Sequence, residues 1–531
     1  MKQNLLQKLP LLSVMLLYLI LTLIFGHYKA YLYEDEVLSY TAANSQSGMR
    51  PSFERNSVTN GKTFVQNAVT VSTEHRFDFA NAAKNTSSDP HPPLYLFLLH
   101  GISSLFPGVF SKWFGITINL LFGLLTLYYL YRTSEKITGS IFMAAIVSVI
   151  YATSLGFLHQ TVFLRMYLML QAFTMMLTEQ YVDLLISRSA LNRKRLVTLF
   201  FTVVLGTLTH YYFLIYAFFC AAFYSIRLFF IGNKNQLIRH VLLYVASGLA
   251  VIILFPSIFW QLTGSDVGSE SFEGRTLSMI VHRARTMLSL LNLDLFGGNL
   301  KYYALAFFFF AALLVLSVRH TGIRELIYGL ERKDSPRVFY ILSKPEKIAI
   351  LFILTTVVCY FTVVSITTPY LTDRYLTPIY PPVILLTMLA FTPIIQALFR
   401  SPILGLMLFP VIMMMPLFSE MGSGLYDSSK AEMQALATQH SDDYCIYFSG
   451  ISNEENYFEL ELYRGIYAMK LDDDTPIIDE VASSDELIVY IPEGKDPEPY
   501  FRRVQESCPD LTDTSRLYKA YYSDAYLMKG N

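Results

Sequence analysis

The chain has 531 residues, of which 53% are hydrophobic, 15% aromatic and only 16% charged, with a formal net charge of −1 at pH 7. This excludes a soluble globular enzyme, because the apolar residues come in runs long enough to cross the ~30 Å hydrocarbon core of a bilayer. The composition is that of a polytopic α-helical membrane protein, with no nucleic acid expected among its partners.

The first apolar run, Leu9 to Gly26, follows Lys2 and Lys8 as a signal peptide would, but has no small-residue cleavage site and is read as an uncleaved first span. Spans are expected near 9–27, 112–131, 139–157, 165–187, 196–210, 212–230, 241–262, 301–318, 347–367, 377–398 and 402–418, about eleven in all. Lys and Arg crowd the connections at one end, among them Arg132, Lys136, Arg188, Arg193, Lys194, Arg195, Lys234, Arg239 and Arg400, which makes that end cytoplasmic. Arg275, Arg283 and Arg285 fall on the other side, against the trend. Leu94 to Leu105 is apolar but short, and is read as a re-entrant or interfacial helix in the first outer loop.

The last hundred residues differ in kind, with 22 acidic against 9 basic residues from Asp427 to Asn531. Strands are expected at Tyr444–Phe448 and Glu486–Tyr490, helices at Asn453–Tyr463 and Pro497–Glu506, and a closing strand at Leu517–Leu527. The expected domains are therefore a transmembrane domain over 1–420, holding a large outer loop at 28–111 with juxtamembrane helices, and a small soluble α/β domain over 421–531 on the extracytoplasmic side. Asp472-Asp-Asp474 reads as a solvated turn rather than a cation site. Cys220 and Cys359 lie in apolar runs; Cys445 and Cys508 lie in the tail, where they could pair.

Five clusters on the outer side carry the chemistry, each with a plain structural alternative. Asp35 and Glu36 follow Tyr31 and Tyr33 just past the first span, where a carboxylate held against apolar neighbours can serve as a general base or simply be a solvated acid. Asp89-Pro-His-Pro-Pro-Leu-Tyr95 places His91 beside two prolines suited to a helix's first turn, so His91 is either held for chemistry or sits in an interfacial turn. Leu164-Arg-Met-Tyr167 opens the fourth span, where Arg165 either snorkels to headgroups or forks onto a phosphate. Thr209-His-Tyr-Tyr212 joins two spans with almost no loop. In Asp373-Arg-Tyr375, Asp and Arg pair with each other or Arg374 clamps a phosphate.

In this order the DE pair, HPPLY, RMY, THYY and DRY resemble the GT-C superfamily of integral-membrane glycosyltransferases, nearest the protein-mannosyltransferase-like and aminoarabinose-transferase-like group in its RgtA/B/C/D-like subset. The resemblance covers about residues 9 to 400 and not the tail. It implies a GT-C-like membrane domain, a polyprenyl-phosphate sugar as donor, and transfer to a glycan, lipid or protein acceptor on the outer face of a cell membrane, with inversion. It also implies that Asp35 is the catalytic acid/base with Glu36 as its supporting neighbour, and that His91 and His210 line the donor cavity together with Arg165, Tyr167, Tyr211, Asp373, Arg374 and Tyr375. A divalent metal between His91 and His210 is implied by analogy with aminoarabinose transferases, which carry an acidic residue where this chain has His.

The chemistry holds without the resemblance: transfer with inversion needs a base for the acceptor hydroxyl and cations for the departing lipid phosphate. The alternative from another class is a transporter or flippase of lipid-linked or small polar substrates. The expected spans hold essentially no charge at mid-depth, and Glu179 and Asp183 lie towards the cytoplasmic end of theirs, which favours surface catalysis. A receptor with an acidic tail would leave the five clusters as coincidence.

Overall fold

The computed structural model describes residues 2–29, 31–263, 276–319, 344–398, 428–448 and 454–530. By their contacts the residues group into two units, 1–27 with 90–95 and 115–423, and 28–89 with 96–114 and 424–531. The first outer loop, which the sequence assigns to the membrane domain, thus falls in one unit with the acidic tail except for residues 90–95, which belong to the first unit.

The first unit is helical. Among the described residues six helices are long and apolar enough to cross a membrane: Lys8–Tyr28, which ends one residue past this unit, Lys112–Thr138, which begins three residues before it resumes, Tyr212–Phe230, Lys234–Leu254, Pro345–Thr367 and Asp373–Thr392. The protein is a multi-pass membrane protein, but the expected eleven spans appear less regularly than their hydropathy suggests. The span expected at 139–157 is two helices, Ile141–Ala152 and Leu155–Val162, bent by 60° at the break. The span expected at 196–210 is a 15-residue helix, Arg193–Thr207. That at 402–418 lies outside the described residues.

Tyr167–Ser187, in place of the span expected at 165–187, is too polar to count among the six, and the reason is its position: 15 of its 21 residues are buried. Several polar groups there are answered, the Gln171 side-chain carbonyl by the Tyr151 hydroxyl, Thr178 by the Tyr216 hydroxyl at 2.7 Å, and Glu179 by Lys136 at 2.6 Å. Asp183 is held by both Lys136 and Arg195, at 2.6 and 2.7 Å. The bent pair is fixed from the side, since the Asn119 amide donates to the carbonyls of Gln160, Thr161 and Phe163, which the helix end at Val162 leaves without helical partners. Arg165 follows directly, so this cap sets where its side chain starts.

In the second unit a six-stranded sheet has the order β1-β3-β2-β4-β6-β5: β1 Val58–Thr59, β2 Tyr444–Phe448, β3 Gly465–Met469, β4 Glu486–Pro492, β5 Asp513–Ala520 and β6 Ser523–Lys529. β2 runs parallel to β3 and β4, while β1 pairs antiparallel with β3, β4 with β6, and β5 with β6. The single closing strand expected at Leu517–Leu527 is thus a hairpin, and the helix expected at Asn453–Tyr463 shrinks to a short 3-10 turn and the helix Tyr457–Leu460.

β2 reads as an unbroken apolar run because both its faces are covered. Tyr444, Ile446 and Phe448 pack with Tyr500, Phe501 and Val504 of the helix Glu498–Gln505. Cys445 and Tyr447 pack on the opposite face with Met433, Ala437 and, from the first loop, Phe53. Cys445 and Cys508 therefore belong to cores on opposite faces of the sheet and are free thiols, which corrects the pairing open to them from sequence. Asp472–Asp474 is the solvated turn expected, its Asp473 accepting from Asn56 at 2.8 Å and from Thr475.

The first loop is bound into this unit by more than β1. Arg50 bridges Glu34 and Glu454, and the Tyr457 hydroxyl donates to the Pro51 carbonyl at 3.0 Å. Gly61 lies so close to the tail that an added Cβ would stand 2.6 Å from the Leu460 carbonyl oxygen. Gly61→Ala is therefore expected to cost about 1–3 kcal/mol, and limited proteolysis should cut the 28–114 loop faster than in the native chain; unchanged cutting would show that the contact yields freely.

Candidate functional site

The first unit gathers residues from four of the sequence clusters at one place. His91 stands just before the helix Leu94–Leu105, which starts one residue after the proline pair rather than on it; the Leu94 N–H donates to the Leu208 carbonyl at 3.0 Å, which fastens the helix entrance to the 208–211 hairpin. Arg165, buried, donates from Nη2 to His91 Nδ1 at 3.4 Å. The His91 and His210 rings lie 5.4 Å apart, and His210 lies 5.5 Å from the ring of Tyr167. The Arg374 guanidinium sits over Phe163 and Tyr167, 5.8 and 5.9 Å from their centroids.

His210 is the centre of this group. Its Nδ1 accepts the Tyr212 backbone N–H at 3.1 Å, so the proton of the neutral ring is on Nε2. That Nε2–H is buried and has no partner among the described residues. Burial first, then the neighbouring His91 and the charges of Arg165 and Arg374, holds the imidazolium well below its usual range, so His210 is a neutral donor. Two guanidinium groups beside a buried N–H donor favour an anion.

The same facts weigh on the metal expected between His91 and His210. The Nδ1 of each is taken by an N–H donor, and two guanidinium groups stand beside the pair, so the residues present suit an anion and not a divalent cation.

The remaining expected residues sort differently. Tyr375 packs its ring 4.8 Å from Tyr212, and its carbonyl accepts from the Tyr360 hydroxyl at 2.8 Å. Tyr211 faces another way: its hydroxyl donates to Gln261, and it packs against the apolar group around Val251 and Phe255. Of the two neighbouring tyrosines it is Tyr212 that joins His210. The Asp373 carboxylate accepts from Gln160 at 3.3 Å, and Arg374 Nε donates to Thr372 at 3.2 Å.

A further acid lies behind Asp373 that local sequence does not signal. Asp294, at the end of the helix Leu277–Phe296, accepts from the Tyr380 hydroxyl, and that hydroxyl also lies 3.3 Å from the Asp373 carbonyl. Gly156 makes room for it, since a Cβ there would stand 2.7 Å from Asp294 Cβ. Burial, and then the charge of Asp373, pushes the Asp294 carboxyl up to about 8.

In the second unit, Asp35 and Glu36 open the helix Glu34–Asn44. Glu36 is fully buried and doubly engaged: the Lys29 ammonium lies 2.9 Å from both its oxygens, and Oε2 also accepts the Tyr33 N–H at 2.8 Å. Glu36 therefore fixes the start of the helix. Asp35 beside it is only partly buried. The far side of the helix is tied down by Asn44, donating to Val69 and Ser103, and by the Tyr40 hydroxyl, donating to the Ser111 carbonyl.

No protein-family model and no curated protein matches this sequence. Among solved structures the chain is similar to ArnT from Cupriavidus metallidurans, both bound to undecaprenyl phosphate (TM-score 0.55, 10% identity) and in the apo state (TM-score 0.53, 11% identity), each match covering 97% of both chains. At such identities the likeness is one of fold.

The Asp294 carboxyl gives the site a pH signature. An ordinary aspartate releases its proton near 3.8, whereas Asp294 holds it to about 8. Between those values the unfolded chain binds fewer protons than the folded one, so this group's contribution to stability falls as pH rises through that window. Asp294→Asn removes the titration, so its melting temperature relative to the native chain should be higher at pH 8.5 than at pH 5; an equal difference at both would refute the raised pKa.

Proposed function

We propose that this protein is a membrane glycosyltransferase that moves a sugar from a polyprenyl-phosphate donor to an acceptor on the outer face of the cell membrane, with inversion at the anomeric carbon. The observation that carries the reading is the gathering of Arg165, Arg374 and His91 around His210, whose buried Nε2–H has no partner among the described residues. The fold shared with a protein that binds undecaprenyl phosphate supports the choice of donor.

The chemistry assigns one role to each group. As the acceptor oxygen bonds to the anomeric carbon, the bond from that carbon to the phosphate oxygen breaks, and the lipid phosphate leaves with the electron pair and an added negative charge. Arg165, Arg374 and the His210 N–H stabilise that charge in a poorly solvated place, where fixed donors count most. Tyr167, Tyr375 and Asp373 shape the walls and hold Arg374 in place. Asp35 takes the proton from the acceptor hydroxyl, and Glu36, locked by Lys29, positions the turn that carries Asp35. No metal takes part in this scheme.

Three outcomes follow for purified protein supplied with polyprenyl-phosphate sugars. Asp35→Asn should abolish transfer while leaving expression and melting temperature unchanged; retained turnover would remove Asp35 from the base role. Arg374→Ala should raise the donor KM by roughly ten- to a hundredfold, as loss of a charge-assisted contact of about 1.5–3 kcal/mol implies, with little change in the acceptor KM; equal loss for both would count against a phosphate clamp. Chelators should leave the rate unchanged, and a chelator-sensitive rate restored by added metal would reinstate the cation.

A further inference from the structure

We propose that His440, Asp443 and Glu486, far in sequence from the anion-binding residues, form a divalent cation site in the tail domain, with Zn2+ its best match. One donor atom from each residue lies within 4.8 Å of the others. His440 Nδ1 is 2.8 Å from Asp443 Oδ2 and 3.7 Å from Glu486 Oε2. Donors bound to one tetrahedral Zn2+ at ~2.1 Å are about 3.4 Å apart, so small side-chain shifts would close the set round an ion.

The backbone brings these residues together for reasons unrelated to charge. β2 and β4 are parallel neighbours in which Tyr444 pairs with Leu487, so the preceding residues, Asp443 and Glu486, stand side by side at the entering ends of the two strands. The helix Ser428–Gln439 ends just before, and the Asp443 N–H donates to the His440 carbonyl at 3.1 Å, a tight turn that brings the imidazole back over those strand ends. Two carboxylates placed abreast repel, and nearby cations are committed elsewhere: the Arg464 guanidinium lies 4.6 Å over the Tyr444 ring, and Lys529, paired with Glu486 across β4 and β6, reaches Asp513 at 3.5 Å. An imidazole nitrogen with two carboxylate oxygens is a donor set for a first-row divalent ion, and three protein ligands leave a position for water. The side chains are 16%, 22% and 41% exposed, so an ion can enter from solvent.

The test uses the full chain in detergent at pH 7.5, titrated with Zn2+, with acylation of His440 by a histidine-directed reagent followed by mass spectrometry and melting temperature followed in parallel. Zn2+ should slow His440 acylation at least about tenfold and raise the melting temperature, and Glu486→Gln should weaken both effects at least about tenfold in Zn2+ concentration. Because the Glu486 side chain is 41% exposed and the substitution keeps its size, this variant should melt like the native chain in the absence of metal; His440→Ala serves as a second variant, losing the melting shift. Acylation of His440 at the same rate with and without Zn2+, or a Glu486→Gln variant as responsive as the native chain, would overturn the site and leave His440 and Asp443 as an ordinary ion pair.

Discussion

Positive charge gathered in a poorly solvated place is the constraint on which the rest of the first unit depends. Arg165, from the bend between the helices Leu155–Val162 and Tyr167–Ser187, and Arg374, from the turn Asp373–Ile379, reach the same surroundings, and burial together with their charge keeps His210 from taking a second proton. A neutral His210 is useful because it still offers one N–H, whereas a third cation would add to the repulsion without adding a new direction of donation. The scaffold around the site is built to fix these groups: Asn119 caps the bent helix before Arg165, the Leu94 N–H joins the entrance of one helix to the hairpin of another, and the Tyr360 hydroxyl holds the turn that bears Arg374.

Much of this was legible in the sequence because each motif falls where an apolar run begins or ends. HPPLY, RMY, THYY and DRY mark helix entrances, and a polar residue at a helix entrance has few places to go except the surface or the site. The partners that act across the fold were not legible. Asp294 meets Tyr380 across 86 positions and Gln160 meets Asp373 across 213, and nothing in either local pattern reveals it. Tyr211 and Tyr212 look alike in sequence, and only the exact turn geometry sends one to His210 and the other to Gln261.

The tail was readable where strands were apolar and long, as in β2 and β4, and unreadable where a strand has two residues, as in β1. β3 escaped notice because Gly465-Ile-Tyr-Ala-Met469 opens on a glycine and holds an alanine, residues that weaken the strand signal which the aromatic-rich β2 carries. Lys29, which has no role assigned from sequence, is the partner that makes a buried Glu36 tolerable.

The pairing of the first loop with the tail also has a meaning in time. Asn56 finds Asp473 across 417 positions, and Tyr457 finds Pro51 across 406. At a synthesis rate of about 5–20 residues per second the loop must wait some tens of seconds for the segment that completes its sheet. Through that interval Val58, Phe53 and Phe64 have no core to enter. The newborn loop therefore exposes an unpaired strand edge and loose aromatic rings until the tail segment has been made, a long-range closure that makes the second unit slow to assemble and dependent on two segments some 400 positions apart.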